Sequence, residues 1–221
     1  MSVKVLKASD LLAEYTFDGN SAAVSYVNLV VDMGNWIANT GEIDNGRAEI
    51  EGSQTPVSVS LTGGVYHQFS FTVQNLGLGE FLNLTSISGK YSRDRTHSNE
   101  SDHFFELYAD HGDDGYTVGD FLGEARLSLS NTLPHSTEFD ISTSALGDLN
   151  DGDVVGFRFY FADNNNHTFA YTHRLDNVQL HGAINSAIPE PASCALVTGL
   201  LAAGHAGMSP PQRCIRLTMS K

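Results

Sequence analysis

The densest group of side chains that could do chemistry lies in the acidic segment Asp110–Asp120, which reads DHGDDGYTVGD. Carboxylate oxygens are the ligands that calcium prefers, so we first compared this segment with the EF-hand loop. When Gly115 is placed at the sixth position, Gly112 falls where the third ligand belongs and Phe121 where the bidentate glutamate belongs. The spacing therefore favours an acidic hairpin loop, with a loop-type calcium site as the alternative.

Glu42-Ile43-Asp44 is the only other short acidic motif that suggests catalysis. Laminarinase-type glycoside hydrolases carry Glu-x-Asp-x-x-Glu on one strand, but Arg47 stands here at the position of the second glutamate. Retaining hydrolysis needs two carboxyl groups about 5–5.5 Å apart. The motif consequently lacks its general acid, and Asn45-Gly46 favours a turn.

Trp36 is the single tryptophan of the chain. A flat aromatic face can stack on a sugar ring, so Trp36 is a candidate ligand contact; the alternative is a core aromatic. Three of the nine histidines, His97, His103 and His111, lie in or near the acidic segment. A zinc site there is one interpretation, and exposed loop histidines are the other.

Short runs with a period of two must position these residues, and the runs are separated by turn signals such as Asp114-Gly115 and Asp151-Gly152. The clearest run is Asp153–Ala162, where Val155, Phe157, Phe159 and Phe161 alternate with residues that point the other way. The other predicted strands are Leu11–Phe17, Val24–Val31, Val57–Leu61, Tyr66–Val73, Phe81–Ser88, Phe104–Tyr108, Glu124–Leu129, Thr137–Ile141, Phe169–Thr172 and Leu175–Leu180. This spacing predicts an all-β fold, an antiparallel β-sandwich of the jelly-roll or concanavalin-like kind, over residues 11–182.

The composition limits the partners. The net charge is −14, and residues 1–191 hold nine basic and 26 acidic residues, a balance of −17. Nucleic-acid binding rests on neutralising phosphates, so a nucleic-acid partner is not expected. Both cysteines, Cys194 and Cys214, lie near the C-terminus, so no disulfide framework is expected in the β-rich part.

The C-terminal region has three consecutive parts. Pro189, Glu190 and Pro191 precede the uncharged, mostly apolar run Ala192–Met208, and the final residues 209–221 are weakly basic. This order resembles the PEP-CTERM protein-sorting domain of Gram-negative bacteria, in which a Pro-Glu-Pro signature precedes one transmembrane helix. The resemblance implies an exported substrate of an exosortase-type membrane transpeptidase, anchored transiently in the inner membrane by a helix over 192–208. The alternative is a buried helix bounded by proline.

The expected domain organisation follows from these assignments. Residues 183–191 are expected to be a linker that carries the signature. Residues 1–10 show no apolar signal-peptide region, and we interpret them as the remnant of a truncated export region. The cell envelope or the extracellular matrix is the expected destination.

The β-rich part resembles the jelly-roll and concanavalin-like domains that precede this signal in many such proteins, through Ala13–Gly19, Phe157–Tyr160 and Leu175–Val178. In jelly-roll carbohydrate-binding modules, acidic residues of the first and last strands often share a structural calcium ion. The resemblance implies a Ca²⁺ site at Glu14, Asp18 and Asp176. Alternatively, Asp18 caps a turn and Asp176 anchors an Asx-turn.

These assignments together predict a non-catalytic surface or matrix protein that adheres or binds a polysaccharide. A secreted polysaccharide-active enzyme on a concanavalin-like scaffold is the first alternative. A purely structural matrix component is the second.

Overall fold

The structure, a computed structural model, describes residues 10–17, 22–25, 30–39, 42–44, 47–51, 58–93, 103–112, 114–127, 135–163 and 172–186. Within these residues the strands pair in antiparallel fashion in two sheets, and no α-helix occurs. The all-β, antiparallel fold class is confirmed.

The first sheet is organised around two long strands, β8 (Glu80–Arg93) and β14 (Thr172–Ser186), which pair along most of their length. A bulge interrupts their pairing between Asp176 and Gln179, where Asn177 has a φ of 50°. The other described strands of this sheet are β1 (Asp10–Tyr15), β2 (Val24–Ser25), β5 (Glu42–Asp44), β6 (Arg47–Glu51), β11 (His135–Ser142) and β12 (Asp148–Leu149).

The second sheet has the strand order β10-β9-β13-β7-β3, with β4 paired to β7 beside β3. These strands are β3 (Val31–Met33), β4 (Ile37–Ala38), β7 (Val65–Val73), β9 (His103–His111), β10 (Phe121–Leu127) and β13 (Val154–Asp163). The central strands β13 and β7 are long and alternate apolar with mostly polar residues, which places every second side chain on one face of the sheet.

The core lies between the two sheets. Val155, Phe157, Phe159 and Phe161 of β13 are all 1% exposed or less, as their alternation predicts. Aromatic rings join the sheets across the core: the centroid of Tyr15 in β1 lies 5.0 Å from that of Phe69 in β7. A second such pair is Phe105 of β9 and Phe139 of β11, also 5.0 Å apart. These contacts confirm the sandwich.

Several sequence-based strand boundaries were wrong. Val24–Val31 is not one strand, because Val24–Ser25 is β2 of the first sheet and Val31 begins β3 of the second. The strand expected over Val57–Leu61 is not formed by its described part, because residues 58–64 make a turn closed by a hydrogen bond from the Gly64 amide to the Ser60 carbonyl. The last strand, β14, does not end near Gly182 but continues to Ser186. Its final residues pair with Glu80–Asn83 of β8, so 183–186 belong to the sheet and not to a linker.

The chain divides into two compact units, Met1–Ser186 and Ala187–Lys221. The second unit lies outside the described residues, and so do the Pro-Glu-Pro signature and the helix expected over 192–208. These assignments stay predictions. Among the residues that the structure describes, no helix is long and apolar enough to cross a membrane.

Candidate functional site

A groove of about 580 Å³ opens on the outer face of the second sheet. Its floor comes from the β7 and β13 residues that alternate with the core residues, chiefly Gln68, Ser70, Gly156 and Arg158. Further lining comes from the start of β4 and the segment before it, and from the end of β9 and the loop that follows it: Asn35, Ile37, Asp110, Asp114, Gly115 and Tyr116. The groove is therefore built by parts of the chain that are far apart in sequence.

Arg158 is the only cationic side chain among the described residues that line the groove. Its guanidinium carbon lies 4.3 Å from the ring centroid of Tyr66 and 4.2 Å from that of Tyr116. Its Nε donates to Gln68 Oε1 at 2.7 Å, and its Nη1 donates to the Tyr160 hydroxyl at 3.2 Å. These contacts fix the orientation of the guanidinium, while Nη2 makes no hydrogen bond within the described part of the chain.

Tyr116 is held over the sheet by the turn that precedes it. Asp110, only 7% exposed, accepts hydrogen bonds from the backbone amides of Asp114 at 3.3 Å and Gly115 at 3.2 Å. Gly115 supports this turn with a φ of 91°. The Tyr116 hydroxyl then reaches Gly156, where a Cβ would come within 2.6 Å of it. A glycine at position 156 thus makes room for the tyrosine.

Burial raises the pKa of the Tyr116 phenol, and the nearby carboxylate of Asp110 raises it further, against the opposing charge of Arg158. The phenol is therefore a neutral hydroxyl at physiological pH, and it can both donate and accept hydrogen bonds.

The segment Asp110–Asp120 shows structural uses for two of its carboxylates. Besides Asp110, Asp120 accepts from the backbone amide of Thr117 at 2.7 Å and from its hydroxyl at 2.8 Å, and closes a capping box. Asp113 lies outside the described residues. The described contacts fit the acidic hairpin loop that the spacing favoured.

Trp36 does not contact the groove, so its assignment as a ligand contact was wrong. The side chain is 2% exposed, and its Nε1 donates to Nδ1 of the buried His67 at 2.7 Å. Its ring lies 5.3 Å from that of Phe69 and 4.9 Å from that of Phe17. Because successive side chains of an extended segment point to opposite sides, the neighbours Asn35 and Ile37 line the groove instead.

The proposed calcium ligands are only partly described. Glu14 of β1 accepts a hydrogen bond from Gln179 Nε2 at 2.8 Å, and Asp176 is half-buried opposite Lys90 at the bulge of β14. Asp18 lies outside the described residues. Among the residues that are described, no cluster of three or more His, Cys, Asp or Glu side chains could hold a metal ion. A site that includes Asp18 stays a prediction.

Glu42 and Asp44 lie on β5, which pairs with β6 in the first sheet, so this hairpin belongs to the sheet opposite the groove. Two of the histidines, His103 and His173, are buried with ring centroids 5.3 Å apart, and the Tyr91 hydroxyl lies 2.7 Å from His173 Nδ1. His103 is therefore not an exposed loop histidine. His111 lies at the end of β9 with its Nε2 3.6 Å from Asp153, and His97 lies outside the described residues.

No family model and no curated protein matches this chain. Among solved structures, one described as "CBM4 structure and function" is 15% identical and matches over 69% of this chain and 94% of its own, with a TM-score of 0.32. The tandem CBM22-1–CBM22-2 domain of Paenibacillus barcinonensis Xyn10C is 14% identical over 86% of this chain, with a TM-score of 0.34. The VP2 subviral particle of infectious bursal disease virus is 11% identical over 82%, with a TM-score of 0.30.

This chain covers about half of the second and third of these structures, 49% and 51% of their lengths. All three similarities have TM-scores below 0.5, so none of them assigns a ligand, an activity or a family to this chain.

Proposed function

We propose that this chain is an exported, non-catalytic binding protein whose groove on the second sheet holds a carbohydrate. The observation that carries this proposal is the aromatic ring of Tyr116 at the groove, fixed beside side chains that have hydrogen-bonding capacity to spare. A sugar ring has one apolar C–H face and a rim of hydroxyl groups, and this site offers an aromatic surface together with polar neighbours. Its size lies within the range of about 300–1,000 Å³ that is usual for ligand sites.

Spare polar groups surround Tyr116. Gln68 uses its Oε1 for Arg158, so its Nε2 remains a donor, and Asn35 is exposed with neither its donor nor its acceptor used by other described residues. Arg158 adds the N–H groups of Nη2. Gln68 and Arg158 lie on paired strands and hold each other through their hydrogen bond, so little conformational entropy of these two side chains is lost when a ligand binds.

Hydrolysis is the weaker interpretation of the same groove. A retaining or inverting glycosidase needs one carboxylic acid that protonates the leaving oxygen and one carboxylate. Asp110, the buried acid of the groove, has both oxygens occupied by backbone amides. Such a carboxylate shapes a turn and is poorly placed to deliver a proton.

Replacing Tyr116 by alanine should weaken binding of a polysaccharide by about tenfold or more, since buried aromatic contacts at binding sites often contribute over 1 kcal/mol. Tyr116→Phe keeps the ring and should bind within a few fold of the wild type. Affinity electrophoresis of the full-length chain in gels that contain soluble polysaccharides measures both. Phe121→Ala is the matched control, because Phe121 is an exposed aromatic of the same sheet that does not line the groove.

Two results would contradict this function. Retention of Tyr116→Ala equal to that of the wild type, with circular dichroism showing both folded, would exclude the groove as the binding site. Release of new reducing ends from a bound polysaccharide would show that the protein is an enzyme, and the assignment as non-catalytic would fail.

The second part of the proposal is sorting to the cell envelope, and it rests on Pro189–Pro191 and the apolar run Ala192–Met208. We expect full-length protein, expressed behind a supplied signal peptide, to fractionate with membranes. A form without residues 187–221 should be released. The matched control carries a scrambled 209–221 segment and keeps the apolar run. If full-length and shortened forms fractionate alike as monomers, the sorting assignment is wrong.

A further inference from the structure

Resting on the carbohydrate-binding function above, we infer that the groove selects neutral glycans and that Asp114 excludes acidic ones. The charges of the groove and the hydrogen-bond donors and acceptors on its walls set this preference.

The charges of the groove do not favour an anion. One guanidinium, that of Arg158, shares the lining with two carboxylates, those of Asp110 and Asp114. At neutral pH these formal charges sum to −1, within a chain whose net charge is −14. A uronate polysaccharide would bring a further negative charge on every acidic sugar into this field, and like charges repel over several ångströms at low ionic strength.

Arg158 is also a poor binding site for a carboxylate. Carboxylates are best bound by two parallel N–H groups of a guanidinium edge. Here Nε is already engaged by Gln68 and Nη1 by Tyr160, and two tyrosine rings lie within 4.3 Å of the guanidinium carbon. The edge formed by Nε and Nη2 is therefore not free to bind a carboxylate through two parallel N–H groups, and the three N–H groups that remain can donate to hydroxyl oxygens.

Asp114 supplies a hydrogen-bond acceptor in a groove where the spare groups of Arg158 and Gln68 are donors. Asp110 has its two oxygens satisfied by the turn, whereas the side chain of Asp114 is exposed at the groove and its carboxylate makes no hydrogen bond or ion pair with other described residues. An ionised carboxylate only accepts hydrogen bonds, so its partner must carry a donor. The hydroxyl groups of a sugar can donate to Asp114 and can accept from Arg158 and Gln68. A uronate carboxylate can only accept. A neutral sugar satisfies both sides of the groove.

The test compares the wild type with Asp114→Asn, whose side chain has almost the same shape but no charge and can donate as well as accept. Full-length protein is titrated with neutral polysaccharides, β-glucan and glucomannan, and with acidic ones, alginate and polygalacturonate. We expect the wild type to bind a neutral member at least about tenfold more tightly than either acidic one at low salt. Asp114→Asn should raise the affinity for the acidic polysaccharides by about fivefold or more and so lower the ratio of neutral to acidic affinity.

Asp140→Asn is the matched control, because Asp140 is exposed on β11 in the first sheet and its replacement changes the net charge by the same amount. At the same salt concentration it should alter no affinity by more than about twofold, because it lies in the other sheet. Equal gains from both variants would assign the effect to overall charge and overturn the role of Asp114.

The outcomes separate the inference from the function on which it rests. Tighter binding of alginate or polygalacturonate than of the neutral polysaccharides, abolished by Tyr116→Ala, would overturn the inference and leave the groove a carbohydrate site. Absence of binding to every polysaccharide would overturn the carbohydrate-binding function itself, and the selectivity with it.

Discussion

Replacing Phe159 by alanine is expected to lower the free energy of unfolding by about 3–5 kcal/mol. The side chain is fully buried, and its ring lies between the two sheets. Its centroid is 5.4 Å from that of Trp36, 5.3 Å from that of Phe105 and 6.2 Å from that of Phe139. Removing the ring leaves a cavity that these large, mutually packed aromatics cannot fill without moving off their own contacts.

Urea or guanidinium denaturation followed by circular dichroism measures this loss. Val154→Ala is the control on the same strand, because Val154 is 43% exposed, and it should change stability by no more than about 0.5 kcal/mol. A loss below about 1 kcal/mol for Phe159→Ala would mean that the sheets do not close on this ring, and the core described here would be wrong.

Acidification is expected to destabilise the protein through two buried histidines before most carboxylates titrate. Burial lowers the pKa of His67 to about 3, against a smaller opposing effect of the Glu49 backbone. Burial also lowers the pKa of His173 to about 3, helped by the neighbouring His103 and Arg93. An unfolded histidine titrates near 6.5, so the unfolded state takes up protons first as the pH falls. The stabilisation is complete above about pH 6.5 and is lost progressively down to about pH 3.

Each such histidine contributes a slope that approaches 1.4 kcal/mol per pH unit within this window. His67→Gln is the informative variant: the glutamine oxygen can still accept from the Trp36 indole N–H, but the side chain does not titrate. Denaturation at several pH values between 5 and 7 should show a slope smaller by about 1 kcal/mol per unit in the variant, with the other groups titrating alike in both proteins. Equal slopes would show that the His67 pKa is not lowered in the folded state.

The strand pattern could be predicted from the sequence because it is local. In β13, the alternation of four large apolar residues with Gly156, Arg158 and Tyr160 is enough to assign both faces. The ends of the strands were harder to predict. β14 continues past Gly182 because its partner β8 extends equally far, and the sequence of β14 alone does not show this pairing.

The groove could not be predicted in this way. Arg158 and Gln68 are 90 residues apart and meet only because β13 pairs with β7. Trp36 drew attention by its type, yet the two residues beside it line the groove, since a shift of one position exchanges the faces of an extended segment. The acidic segment was correctly interpreted as a loop. That it places Tyr116 over Gly156 could not be predicted, because Gly156 lies on β13, much later in the chain.

The central strands of the second sheet place residues of the core on one face and residues of the groove on the other. On β13, Phe157 and Phe159 are confined by the core, whereas Gly156 and Arg158 alternate with them on the groove side. A substitution at position 158 thus changes the groove without disturbing the packing that stabilises the sandwich, whereas an inserted residue would exchange the two sets at once. The chemistry of the groove in such a scaffold can therefore change by point substitution while the fold is kept, whereas an insertion in this strand would disrupt the core as well.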